Sequence, residues 1–141
     1  MKYSILFLGR KNCKYTSKLE KYLKNYSHNL ISVKSKKIGE KISPNKIKNK
    51  KFDYIICFRS FFLIKKKLFK KAKIASINFH PGPPAYRGIG CINFALLNGE
   101  KKFGTTAHLI DSKIDHGKIL DIEYFNLNKK DNLKKCLEKT H

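Results

Sequence analysis

Residues 74–99 read IASINFHPGPPAYRGIGCINFALLNG, and the rest of the chain is best read outward from them. Ile74 to Phe79 is largely apolar and suits a buried strand. His80-Pro81-Gly82-Pro83-Pro84 continues neither strand nor helix, because proline fixes φ and removes a backbone donor. Ile89 to Asn98 then has helical spacing, with Ile92, Ala95 and Leu96 on one face. Gly99 supplies a C-terminal stop. The Pro-rich loop is stiff, and a cis bond at Pro83 or Pro84 is one way to fix its path to Tyr86.

The flanking sequence repeats the alternation. Tyr3 to Leu8 is an apolar run closed by Gly9, a first buried strand. Asn12 to Tyr26 is helical through Leu19, Tyr22, Leu23 and Tyr26. Leu30 to Val33 and Tyr54 to Phe58 read as strands. Residues 34–51 between them, with Pro44 in the middle, read as an exposed basic loop or a short helix. Arg59 to Lys73 has helical character through Phe61, Phe62, Leu63, Leu68 and Phe69. Thr105 to Ile110 and Ile119 to Phe125 read as strands, and Asn132 to Lys139 as a helix. The expected fold is therefore α/β and Rossmann-like: a mostly parallel sheet with helices on both faces, in a single domain over 1–141. In such a sheet a ligand lies beyond the carboxyl ends of the strands.

Composition removes several classes. No stretch of 18 apolar residues occurs, so a membrane partner is not expected. The apolar run after Met1 is too short for a signal peptide, which makes a cytoplasmic location the default. Cys13, Cys57, Cys91 and Cys136 form no CxxC, which argues against a zinc ribbon or a redox pair. GxGxxG and GxxxxGK[ST] are both absent. The net charge is +22, yet only three of the 32 basic residues are Arg (Arg10, Arg59 and Arg87). Arg is the usual bidentate reader of phosphate and guanine, so a solvated Lys-rich surface is the first reading. A nucleic-acid partner on the basic surface stays open.

Asn78 and His80 alternate on one strand and so leave it on one face, at the end where a ligand crevice belongs. Asp111 and Asp115 flank the loop Asp111-Ser112-Lys113-Ile114-Asp115-His116-Gly117. An amide, an imidazole and a carboxylate suit acyl transfer to nitrogen. The amide can donate to a carbonyl oxygen that becomes an oxyanion, while imidazole and carboxylate handle the proton of the attacking amine. His108 and His116 lack metal-ligand spacing with His80, so no metal is expected, and His108 reads as structural.

Five segments in order now carry a resemblance. They are Asn78-Phe79-His80-Pro81, Tyr86-Arg87-Gly88, Asn93-Phe94-Ala95-Leu96-Leu97-Asn98-Gly99-Glu100, Gly104-Thr105-Thr106, and Ile110 through Leu120. Together they resemble the folate-dependent formyltransferases, which act on methionyl-tRNA, glycinamide ribonucleotide or sugar nucleotides. The match is strong over Ile74 to Leu120 and confined to the strand pattern over Tyr3 to Phe58. The resemblance implies an N-formyltransferase that uses 10-formyltetrahydrofolate as co-substrate. It puts catalytic roles on Asn78, His80 and Asp115. It puts a pterin pocket on Phe58, Arg59, Ser60, Phe61, Phe62 and Leu63, together with Asp111.

The expected partner is a primary amine, carried by a small molecule or a tRNA. An amino-sugar nucleotide is the first choice. A methionyl-tRNA enzyme without its tRNA-binding domain is the second, and a non-catalytic RNA-binding module on the same fold is the third. The chain departs from the family in its shorter loop Gly82-Pro83-Pro84-Ala85, which lacks the usual leucines. It also stops within the last helix, which is compatible with a truncated domain or with a minimal member that works as a homodimer.

Overall fold

The computed structural model describes residues 1–128 and 130–141. The chain divides into two compact units, Met1–Asn78 and Phe79–His141. The first unit opens with β1 (Tyr3–Arg10), α1 (Lys14–Lys24) and β2 (Ser27–Ser35). It continues with α2 (Pro44–Ile47), β3 (Phe52–Phe58), α3 (Lys66–Phe69) and most of β4 (Ala72–His80). The second holds the end of β4, then α4 (Cys91–Leu97), β5 (Lys102–Leu109), β6 (Ile119–Asn126) and α5 (Leu133–Lys139). The sheet order is β2-β1-β3-β4-β5-β6. Its strands are mostly parallel, as the alternating sequence implies.

In the first unit β1 is parallel to both β2 and β3. Its run Ile5 to Leu8 is almost completely buried, as a parallel strand covered on both faces requires. Ile5, Phe7 and Leu23 form a core with Leu19, Leu30, Ile56 and Phe58 packed against it. Gly9 lets α1 approach, since a Cβ there would stand 2.3 Å from the Thr16 methyl. Buried Ser35 is a clamp at the carboxyl ends of these strands. Its Oγ donates to the Gly9 carbonyl at 3.0 Å and accepts from the Phe61 N–H at 2.8 Å.

The helix expected over Arg59 to Lys73 is a single turn, Lys66–Phe69. The reason lies at its start. Arg59 has φ +53°, a left-handed conformation that no helix continues. The next residues are tied down by Ser35, by the Gly39 N–H donating to the Phe61 carbonyl, and by Ser60 Oγ accepting from the Phe62 N–H. β4 also starts two residues before the expected Ile74.

In the second unit β5 and β6 pair antiparallel. Phe103 is fully buried and packs with Cys91, Ile92, Ala95, Leu127 and Cys136. The helix expected over Ile89 to Asn98 begins at Cys91, after Gly90 in left-handed backbone. No peptide bond among the described residues is cis, so the Pro83–Pro84 loop is all-trans, contrary to the cis bond considered above.

Candidate active site

The chemistry-bearing groups of the second unit meet around one carboxylate. His80 ends β4 and His108 lies near the end of β5. Asp115 comes from the loop between β5 and β6 and has φ +48°. His80 Nδ1 lies 3.2 Å from Asp115 Oδ2, and His108 Nε2 lies 3.4 Å from Oδ1. The Gly88 N–H donates to Oδ2 at 3.1 Å. All three side chains are buried to about nine-tenths or more.

The other nitrogen of each ring also faces an acceptor. His80 Nε2 donates to the Tyr86 carbonyl at 2.8 Å, and His108 Nδ1 to the Leu109 carbonyl at 2.8 Å. The His108 ring, between a carbonyl and a carboxylate, donates to both only when both of its nitrogens carry protons. Burial opposes charge on Asp115. The His108 hydrogen bond, the His80 ring and the Gly88 N–H outweigh it and hold the carboxyl below the usual range. Burial likewise opposes protonation of His108, but Asp115 and the Leu109 carbonyl prevail and raise its pKa. A carboxylate clamped between two histidines can take up and release a proton without leaving its place.

Local sequence explains the clamp. The register between β5 and β6 slips at Ala107/His108, a bulge that re-aims the end of β5. Gly117 is obligatory, because a Cβ there would stand 1.8 Å from the Leu109 carbonyl oxygen. Gly82 is equally constrained, with a Cβ at 2.6 Å from the Tyr86 oxygen and 2.8 Å from His80 Nε2. The Tyr86 hydroxyl donates to Glu100 at 2.7 Å and accepts from Asn98 at 3.0 Å. The Tyr-Arg-Gly and Asn-Gly-Glu segments therefore hold in place the loop that carries the Tyr86 carbonyl and the Gly88 N–H. Thr106 Oγ1 donates to the Gly82 carbonyl at 2.7 Å and pins the Pro loop to β5.

A small open cavity of ≈ 40 Å³ is lined by His80, Arg87, Thr106, His108, Asp115 and His116, among others. Of the residues singled out from sequence, His80 and Asp115 are brought together. Asn78 stands two residues before His80 on β4. Asp111 is more exposed, accepts the Lys113 N–H at 2.8 Å and lies 3.6 Å from His116. Phe58 to Leu63 form the end of β3 and the loop after it in the first unit. His108, expected to be structural, lies against Asp115 and holds it. No sequence spacing announces it, because the bulge and the loop bring the two together.

The fit of a flat pterin ring to that loop can be tested on its own residues. Phe62 is buried and Leu63 is exposed, which provides an apolar flank. The Phe61 N–H and carbonyl and the Phe62 N–H are already bonded within the protein. Polar matching from this loop must therefore come from its other members.

The chain belongs to the formyl transferase family, whose model matches residues 9–141. It is 37% identical over 84 residues to methionyl-tRNA formyltransferase from Clostridium novyi, covering 59% of this chain and 27% of that protein. It is 36% identical over 80 residues to GDP-perosamine N-formyltransferase from Brucella melitensis, covering 56% and 31%. The N-formyltransferase from Helicobacter canadensis, solved with folinic acid and dTDP-3-aminofucose, superposes with a TM-score of 0.77. That likeness covers 99% of this chain and 58% of the other at 22% identity, and is one of fold. The chain spans about a fifth to a third of the length of the curated relatives it matches.

Proposed function

We propose that this chain transfers a formyl group from 10-formyltetrahydrofolate to a primary amine carried by an amino-sugar nucleotide. The observation that carries the reading is the buried Asp115 carboxylate between His80 and His108, in a chain of the formyl transferase family. The folate supplies the activated formyl group. Phe58 to Leu63, with Asp111, would hold its pterin. Asn78 and His80 donate to the formyl oxygen as negative charge gathers there. For His80 this means exchanging the Tyr86 carbonyl for the formyl oxygen at Nε2. Asp115 takes the proton of the amine as nitrogen bonds to the formyl carbon, and returns it to the leaving nitrogen of the folate as that bond breaks. His108 keeps Asp115 in place throughout.

A second reading has a specific observation behind it. Met1–Asn78 carries 22 of the 32 Lys and Arg but three of the ten Asp and Glu, which favours a polyanionic acceptor such as methionyl-tRNA. The identity with the Clostridium enzyme points the same way. Calorimetry with 5-formyltetrahydrofolate and with NAD tests the donor. Transfer to a panel of amino-sugar nucleotides and to charged initiator tRNA tests the acceptor. The account expects folate binding and one productive acceptor class. Binding of NAD without folate overturns it, as does RNA binding without any transfer.

A further inference from the structure

Two of the three arginines lie together, outside the cluster described above. Arg10 ends β1 and Arg59 follows β3. The parallel register pairs Leu8 with Cys57, so the two arginines leave neighbouring strands at the same level. The chain passes from β1 to β2 on one side and to β3 on the other, which makes β1/β3 the switch point of the sheet. Ligands of open α/β sheets bind outside the carboxyl ends of the strands at such a point.

The guanidiniums are held by rings, not by carboxylates. Arg10 stacks 3.9 Å from the Phe61 centroid, and Arg59 lies 6.0 Å from that of Tyr15. The Nε of each is buried and lacks a hydrogen-bond partner. Among the described residues every ion pair uses Lys or His, and none uses Arg. The three acids of the unit are engaged elsewhere. Glu20 pairs with Lys34, Glu40 accepts the Lys36 N–H, and Asp53 accepts the Ser4 N–H. Arg59 also keeps a left-handed backbone beside a like charge. Cys13 also interacts with both arginines, and its thiol pKa is lowered. Burial opposes that shift, and Thr16 and the Arg59 charge favour it.

We propose that Arg10 and Arg59 form a binding site for a phosphate group. Two guanidiniums in no ion pair, each with its Nε unsatisfied, call for about two negative charges and several oxygens, which a phosphate has and a carboxylate lacks. The phosphate can come from a nucleoside diphosphate, an RNA backbone or free phosphate. Arg59 also belongs to the loop proposed above for the pterin, so a bound phosphate would lie beside that loop, but its recognition uses the first unit alone and does not require formyl transfer.

The test is equilibrium binding at fixed ionic strength of inorganic phosphate, uridine diphosphate and a short single-stranded RNA. The proteins are the wild type, Arg10→Gln, Arg59→Gln and the exposed-surface variant Lys48→Gln. Circular dichroism checks each fold, and Arg10→Lys and Arg59→Lys provide variants that keep the charge. Each Arg→Gln change should weaken the bound probe about ten- to a hundredfold, as loss of a charge-assisted hydrogen bond does. The Lys versions should recover only part of it, and Lys48→Gln should bind as the wild type does. A loss confined to the diphosphate marks a nucleotide source, one confined to RNA marks the backbone, and equal losses for all probes mark free phosphate. Three results overturn the site: no probe binds, the Arg→Gln variants bind as the wild type does, or Lys48→Gln loses as much as they do.

Discussion

The two units answer the same problem, a charge removed from water, in opposite ways. In Phe79–His141 the charge is paired. Asp115 has two histidines and a backbone N–H, and each histidine has a second acceptor. In Met1–Asn78 the charge is unpaired. Arg10 and Arg59 rest on aromatic rings with their Nε atoms unsatisfied. A paired site is ready for proton transfer, whereas an unpaired one has donors left over for a ligand. Changes in the second unit should therefore alter rate, and changes to the arginines should alter affinity.

The largest effect should come from Asp115→Asn, which keeps the shape but cannot take a proton. Single-turnover transfer should slow by about 10²–10⁴, with phosphate affinity unchanged. A loss of phosphate affinity instead would break the division between the units.

The same carboxylate sets the pH range of stability. A depressed folded pKa means that Asp115 stabilises above the ordinary carboxylate value of about 3.9, and that this is lost as pH falls through its lower folded value. A raised folded pKa means that His108 stabilises fully below about 6.5, and that this is lost as pH rises through its higher folded value. Thermal melts should thus show greatest stability from this pair between those ordinary values. Asp115→Asn should flatten both sides, and an unchanged pH profile would remove the pair from the account.

Gly82→Ala comes next. Its Cβ would collide with the Tyr86 carbonyl and His80 Nε2, costing about 1–3 kcal/mol in denaturant melts. Tyr86→Phe removes the hydroxyl bonded to Glu100 and Asn98 and should cost about 0.5–1.5 kcal/mol. Glu20→Gln, which breaks a part-exposed pair with Lys34, should cost no more than about 1 kcal/mol.

Much of this could be read from the chain, and the failures have physical causes. β1 and β3 show as apolar runs because both faces of a parallel strand are covered. Asn78, His80 and Asp115 stand out because their residue types match one chemistry at the end of a strand and in a loop. The segment after β3 misleads, because apolar spacing through Phe61 to Phe69 cannot reveal that Arg59 turns left-handed. His108 is hidden for a related reason. A lone histidine in a β-strand carries no local sign of the carboxylate it will meet from the loop that follows. The Arg pair needs the parallel register before Arg10 and Arg59 can be seen as neighbours.

Asn78 and His80 are the proposed donors to the formyl oxygen, and the proposed function needs both. Single-turnover formyl transfer by Asn78→Ala and His80→Ala, with His28→Ala as a surface control, tests it directly. Removing one oxyanion donor costs about 2.7–4 kcal/mol, so each should slow transfer about a hundred- to a thousandfold. Affinity for 5-formyltetrahydrofolate should stay near that of the wild type, and His28→Ala should be fully active. Full activity in Asn78→Ala and His80→Ala would contradict the mechanism.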